Sequence, residues 1–269
     1  MTAVYTMAMS FMASLASGIS LPLSENLQLG WERTLSCWAI LSFLALIVWF
    51  PQLRFQPQRR LEKKTVSFSL FRTPLAWQVT VFMGFQSSIF YSMIAWFPGI
   101  LVAQGVSPVS AGWLLTLAQL AGMIGNFFVP QLAVKLADQR PLALAIASLY
   151  AIGLYGIYLS DHLFWIVVFC FLFGIAQGSG ISLALTLFAL RAKTTETATD
   201  LSGMAQSGGY LIAALSPLMV GFMYDLTSTW LSALVLFSIF IFGFAFTGFL
   251  AGRDRYVEDV THEKERLVQ

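Results

Sequence analysis

Neutral polar side chains interrupt several long apolar segments of this 269-residue sequence. They carry amide, hydroxyl or indole groups, and many recur at spacings that place them on one face of a helix. The candidates are Gln86, Tyr91, Trp96, Gln119, Asn126, Gln177, Gln206 and Tyr210. Such groups could hold a small polar or anionic solute by hydrogen bonds, without a fixed counter-charge. The alternative is that they join neighbouring helices, where each contact contributes roughly 0.6 kcal/mol.

Residues suited to metal binding or covalent chemistry are not grouped in the sequence. Cys37 and Cys170 both lie inside apolar segments, where cysteine behaves as a small hydrophobic residue. His162 and His262 have no Cys or His partner at a metal-ligand spacing. No acidic cluster or GxSxG motif accompanies them. The sequence therefore predicts no metal site, no cofactor and no enzyme activity, and we expect no nucleic-acid partner.

The elements that carry these side chains are long and apolar. Hydrophobic residues make up 58% of the chain and charged residues only 10%, whereas soluble domains contain about 25% charged residues. A helix needs roughly 20 apolar residues to cross a bilayer. Eight segments qualify, at about 2–23, 34–50, 75–98, 111–131, 142–160, 163–190, 201–224 and 230–252. The prediction is an all-α membrane protein with about eight transmembrane helices.

The positive charges predict how the chain lies in the membrane. Of the 15 Lys and Arg residues, all but Arg33 fall in the segments 51–74, 132–141 and 191–200 or in the tail from 253. These segments share one side of the membrane if all eight helices cross it. Because cytoplasmic loops are rich in Lys and Arg, we expect a multi-pass protein of the inner (plasma) membrane with both termini in the cytoplasm.

Local patterns predict some details of these helices. Gly174 with Gly178, and Gly248 with Gly252, form pairs of small residues four apart, which allow close contact between helix backbones. Thr197 and Asp200 have the spacing of a capping box at the start of the seventh helix. The segments around Trp31 and Trp230 both join two helices, and this match indicates either a six-helix repeat or a coincidence.

Short stretches along nearly the whole chain resemble the C-terminal two-thirds of a major facilitator superfamily permease. The closer resemblance is to the cyanate and 2-nitroimidazole permease family. The segments that carry it are 74–80 (PLAWQVT), 91–98 (YSMIAWFP), 138–141 (DQRP), 190–191 (LR), 201–210 (LSGMAQSGGY) and 251–254 (AGRD). They are specific for the family but not for a solute.

The resemblance implies a twelve-helix fold of two six-helix halves, which rock around a central cavity by alternating access. The sequence begins where the fifth helix of such a permease would begin. The resemblance therefore divides the chain into four parts. They are the last two helices of an incomplete N-terminal bundle (1–50), a basic cytoplasmic linker (51–74), a six-helix C-terminal bundle (75–252) and a charged cytoplasmic tail (253–269). We expect the first four helices to be missing, and a complementary N-terminal fragment is a candidate partner.

The resemblance also ranks the site residues. In the resembled fold the first and fourth helices of each half line the cavity, which favours Gln86, Tyr91 and Gln177. The loop that contains Asp138 and Arg140 resembles the acidic-basic loop of the superfamily, which latches the cytoplasmic side. These two residues are therefore candidates for cytoplasmic gating. The alternative is that their charges only set the topology, with Pro141 in the first turn of the fifth helix.

The predicted function is transmembrane transport of a small solute, either a cyanate-like anion or a nitro-aromatic or imidazole compound, by a truncated permease. The alternatives are a membrane scaffold without transport activity and an inactive gene remnant. No Asp, Glu, Lys, Arg or His lies in the core of a predicted span. If a proton is the coupling ion, the ionisable group that carries it is expected in the missing helices.

Overall fold

The computed structural model of the chain describes residues 2–25, 30–51 and 70–259. Within these residues it contains eight α-helices and no strand, which confirms the all-α class. A single turn of 3₁₀ helix, Leu70–Arg72, precedes the third helix. The helices are α1 (Thr2–Glu25), α2 (Gly30–Trp49), α3 (Pro74–Ala103), α4 (Pro108–Lys135), α5 (Arg140–Leu159), α6 (Leu163–Leu190), α7 (Thr195–Thr227) and α8 (Trp230–Ala251). Most of the predicted linker and the end of the predicted tail, 52–69 and 260–269, lie outside the described residues.

Seven of these helices, α2 to α8, are long and apolar enough to cross a membrane. In α1 the residues Val4–Ser20 also form an apolar stretch. α1 also carries three hydroxyl residues at a helical spacing. Thr6, Ser10 and Ser14 follow each other at intervals of four, so they share one face of α1.

Polar caps extend several helices beyond the predicted apolar segments. α4 begins at Pro108, where the Ser107 hydroxyl accepts a hydrogen bond from the Ser110 backbone N–H at 3.2 Å. α7 begins at Thr195 rather than at 201, because Thr194 is its N-cap and accepts from the Thr197 N–H at 3.1 Å. The predicted capping box of Thr197 and Asp200 is therefore wrong, since both residues lie inside the helix.

The helices from α3 to α8 share one apolar core. α4 packs along α6, α3 packs against α7 and α8, and α5 fills the space between α6 and α8. α1 lies along α4 and also touches α6, whereas α2 contacts mainly α1 and exposes most of its side chains. The Trp38 indole N–H donates to the Ser20 hydroxyl at 3.0 Å and joins α2 to α1.

Glycines allow the closest helix contacts in the bundle. A Cβ atom on Gly178 would collide with the carbonyl oxygen of Gly122, and one on Gly174 with that of Ala118. α4 and α6 therefore touch through their backbones. A Cβ atom on Gly248 would lie 2.7 Å from the Phe82 ring. The predicted close packing at the glycine pairs is confirmed.

Candidate solute-binding cavity

A cavity of about 240 Å³ lies between α1, α3, α4, α6 and α7. Its volume is below the roughly 300–1,000 Å³ of a site for a drug-sized ligand, so it suits a smaller molecule. The lining residues are Thr6, Met9, Ser10, Ala13, Gln86, Ser87, Phe90, Tyr91, Ile94, Gln119, Ile181 and Tyr210. None of these lining residues is charged, and the hydrogen-bonding groups among them are amides and hydroxyls.

Gln86 is the cavity residue with an unused hydrogen-bond donor. Its side chain is completely buried, and its Oε1 accepts from the Ser87 hydroxyl at 3.2 Å. Its Nε2 has no hydrogen-bond partner. Buried polar atoms are almost always paired in proteins. Because the Gln86 side chain is completely buried, this amide nitrogen is covered by neighbouring protein atoms and does not face the open space of the cavity.

Aromatic rings from two helices form another part of the cavity lining. The rings of Tyr91 on α3 and Tyr210 on α7 meet edge to face, with centroids 6.2 Å apart. Phe90 touches Tyr91 in a similar arrangement at 5.3 Å. Both tyrosines are partly exposed. Rings with accessible faces and edges can pack against a flat solute.

Gln119 completes the set of predicted residues at the cavity. It lies on α4, is almost fully buried and lines the same cavity as the two tyrosines. Of the eight side chains predicted from the sequence, the cavity brings together Gln86, Tyr91, Gln119 and Tyr210.

The other predicted residues do not line the cavity. The Trp96 indole N–H donates to the Pro217 carbonyl at 2.8 Å and so joins α3 to α7. The Gln206 amide donates to Ser202 in its own helix at 2.8 Å. Gln177 is buried, and its Oε1 has no partner. The structure therefore favours a structural role for both residues: Trp96 makes a contact between helices and Gln206 a contact within its own helix.

Asn126 lies beside the cavity and joins three helices. Its Nδ2 donates to the Thr6 carbonyl at 3.1 Å and to the Ser10 hydroxyl at 2.7 Å. Its Oδ1 accepts from the Ser182 hydroxyl at 2.7 Å. Two of these partners, Thr6 and Ser10, line the cavity themselves.

The sequence analysis missed the contribution of α1 to the cavity. Thr6, Met9, Ser10 and Ala13 all line it. The spacing of Thr6, Ser10 and Ser14 was the signal that could have revealed this face, because a stripe of hydroxyls on an apolar helix points towards polar partners.

The predicted gating residues form a local ion pair in the loop between α4 and α5. The Asp138 carboxylate accepts from the Arg140 backbone N–H at 2.9 Å and from its Nε at 2.7 Å. The side-chain hydrogen bond from Arg140 lowers the pKa of the Asp138 carboxyl. The Arg140 guanidinium also lies 5.1 Å from the centroid of the Phe249 ring on α8.

A neighbouring residue, Arg191, ties several helix ends together at this end of the bundle. It is 2% exposed, and its Nε donates to the Ala251 carbonyl at 2.7 Å. Its Nη2 donates to the Oε1 of Gln139, whose amide in turn donates to the Ala133 carbonyl at 3.0 Å. Burial lowers the pKa of the Arg191 guanidinium. The sequence analysis assigned it no role, although an Arg that directly follows a 28-residue apolar helix was a signal.

The sequence is similar to known membrane transporters. Residues 1–217 match the family model of the Major Facilitator Superfamily. The uncharacterized transporter YycB of Bacillus subtilis (strain 168) is 42% identical over 268 residues, which are 99% of this chain and 66% of that protein. The 2-nitroimidazole transporter of Escherichia coli (strain K12) is 35% identical over 260 residues, 96% of this chain and 65% of that protein.

A more distant similarity extends to the cyanate transport protein CynX of Escherichia coli (strain K12). It is 27% identical over 202 residues, which cover 75% of this chain and 52% of that protein. The chain spans just under two thirds of the length of the first two relatives.

Proposed function

Because the chain belongs to the major facilitator superfamily, we propose that it moves a small solute across the membrane by alternating access, with the cavity between α1, α3, α4, α6 and α7 as the solute site. The observation that carries the proposal is the convergence of Gln86, Gln119 and the Tyr91–Tyr210 pair around one cavity. Each of the relatives named above is described as a transporter or transport protein. Their names support transport rather than catalysis.

The proposed solute is a flat nitro-aromatic or imidazole compound in preference to a cyanate-like anion. A nitro oxygen or ring nitrogen can accept from the Gln119 amide in the cavity lining, while the ring packs against Tyr91 and Tyr210. A small anion gains less in this cavity, because no lining residue is cationic and an unpaired buried charge is costly. The relative that is named for 2-nitroimidazole supports this preference.

Transport in this proposal also needs a second helical unit. The relatives are longer than this chain, and alternating access requires two units that rock against each other. A complementary N-terminal fragment is the proposed partner. The described spans carry no acidic or basic residue near their centres, so a proton, if it is the coupling ion, would use a group on that partner.

The test is uptake of radiolabelled 2-nitroimidazole and of cyanate by cells that produce the chain. The chain is tested alone and together with the helices of a longer relative that precede the matched region. We expect saturable uptake of 2-nitroimidazole in the second case, with weaker uptake of cyanate. No uptake of either compound above empty cells, from protein that is present in the membrane, would support the scaffold or the inactive remnant instead.

Matched glutamine variants connect uptake to the cavity. Gln119→Leu removes an amide from the cavity lining, and Gln206→Leu removes one from α7 outside it. In Gln119→Leu the loss of a solute hydrogen bond is expected to raise the solute concentration at half-maximal uptake by about 5- to 30-fold. In Gln206→Leu this concentration should stay close to that of the parent chain. Equal effects of the two substitutions would show that this cavity is not the solute site.

A further inference from the structure

A cluster of hydrogen bonds lies where α1, α4 and α6 meet. Asn126 is at its centre, bonded to Thr6, Ser10 and Ser182 as described above. Thr6, Asn126 and Ser182 are each at most 1% exposed. These three residues are therefore shielded from water, whereas Ser10 is partly exposed, and the cluster holds α1 against the bundle as long as it stays intact.

The cluster lies at one end of the cavity. Thr6 and Ser10 face the cavity and also accept from Asn126. Asn126 lies two turns, about 10 Å, from Gln119 along α4 towards Lys135. Ser182 follows the lining residue Ile181 on α6, in the direction of Arg191. This end of the cavity is therefore the one nearest the basic loops, which the positive-inside rule assigns to the cytoplasm.

The chemistry of the cluster suits a contact that breaks and re-forms. Its side chains are an amide and three hydroxyls, so no ion pair has to be separated. α1 reaches the bundle mainly through α4 and α6, and the cluster contains residues of both helices. If α1 moves away from α4 at this point, the cavity opens towards the basic loops.

We propose that Asn126 is a gating residue, whose hydrogen bonds to α1 keep the cavity closed on the side of the basic loops. The sequence allowed Asn126 to be either a solute contact or a contact between helices, and the structure gives it hydrogen-bond partners within the protein. This inference rests on the proposed transport function, because a gate has a purpose only where access alternates.

The test measures access to the cavity without any solute. In a chain with Cys37→Ala and Cys170→Ala, a single reporter, Ala13→Cys, is placed in the cavity lining. Membrane vesicles of both orientations are treated with a membrane-impermeant maleimide. Loss of the two bonds to α1 in Asn126→Ala should raise the labelling rate from the side of the basic loops by about three- to eightfold, the change that one or two interhelical hydrogen bonds supply. The rate from the other side should not rise.

Two further variants separate gating from general loosening. Thr186→Val removes a buried hydroxyl that bonds only to Ser182 O in its own helix, at 2.6 Å, and should not change labelling. Ser182→Ala removes the bond to α6 but keeps both bonds to α1, so a smaller rise is expected than for Asn126→Ala. Unchanged labelling in Asn126→Ala, or an equal rise from both sides, would overturn the proposal.

The outcome is independent of the uptake experiment. A chain that does not transport 2-nitroimidazole can still show one-sided opening in Asn126→Ala. Conversely, a chain that transports it can show no change in labelling, and then only the gating role of Asn126 is wrong.

Discussion

Arg191 is a cation that the fold buries at the end of an apolar helix. Its guanidinium donates to Ala251 O, Leu190 O and Gln139 Oε1 from three different nitrogens, a geometry that the single ammonium of Lys cannot reproduce. We expect Arg191→Lys to lower the free energy of unfolding by about 2–3 kcal/mol, because hydrogen bonds of a charged group contribute about 1.5–3 kcal/mol. Thermal unfolding in detergent micelles measures this loss.

The exposed Arg255 provides the control for this prediction. Arg255→Lys makes the same chemical change on the same side of the bundle, where the side chain is exposed. Its unfolding midpoint should match that of the parent chain. If Arg191→Lys and Arg255→Lys unfold at the same temperature, the bonds of Arg191 do not hold the helix ends together.

Single residues show how far the site could be predicted from sequence. Gln86 and Gln119 were predictable, because an amide in an apolar span must face a partner or a cavity. Trp96 and Gln206 carry the same type of signal, yet they bond to Pro217 and Ser202. A buried helix has more than one inward face, and the sequence does not indicate which of them borders empty space. That information arises only when the helices pack.

At the scale of helices, the contact between α4 and α6 depends on the missing side chains of Gly174 and Gly178. A Cβ atom on Gly178 has no room, because it would meet the backbone of Gly122. We expect Gly178→Ala to lower the free energy of unfolding by about 1–3 kcal/mol, the usual cost of overpacking. Thermal unfolding of the purified protein in micelles measures the change.

Gly203 on α7 is the matched control for the helix contact. No atom lies within 4 Å of a Cβ placed there, so Gly203→Ala only replaces glycine by a better helix former. It should leave stability unchanged or raise it by up to about 1 kcal/mol. A loss of stability as large as that of Gly178→Ala would mean that close approach is not the cause.

The existence of the helices was easier to predict than their ends. A run of about 20 apolar residues is enough to predict a span, and α3 to α8 each match one of the predicted segments, which α5 and α8 fall short of by one residue at their C-terminal ends. The ends depend on single polar residues outside those runs, such as Ser107 and Thr194. In α1 the residues Thr6, Ser10 and Ser14 share one face of the helix, and that face packs on α4 through the bonds of Asn126 to Thr6 and Ser10.

At the scale of the whole molecule, charge predicts orientation. In the part of the chain that the structure describes, all Lys and Arg residues except Arg33 lie in the segments 70–74, 132–141, 191–200 and 253–259, which the positive-inside rule predicts on one side of the membrane. Asp161 and Glu196 are exposed acidic residues next to opposite ends of α6. They allow the orientation to be tested with a matched pair of substitutions, each of which replaces one acid by cysteine.

In the background without Cys37 and Cys170, Asp161→Cys should react with an impermeant maleimide in intact cells. Glu196→Cys should react only after the membrane is permeabilised, because the loop between α6 and α7 carries Arg191 and Lys193 and is expected in the cytoplasm. Labelling of Glu196→Cys but not of Asp161→Cys in intact cells would reverse the orientation. The proposed gate at Asn126 would then close the opposite side of the membrane, although its hydrogen bonds and its place at the cavity would be the same.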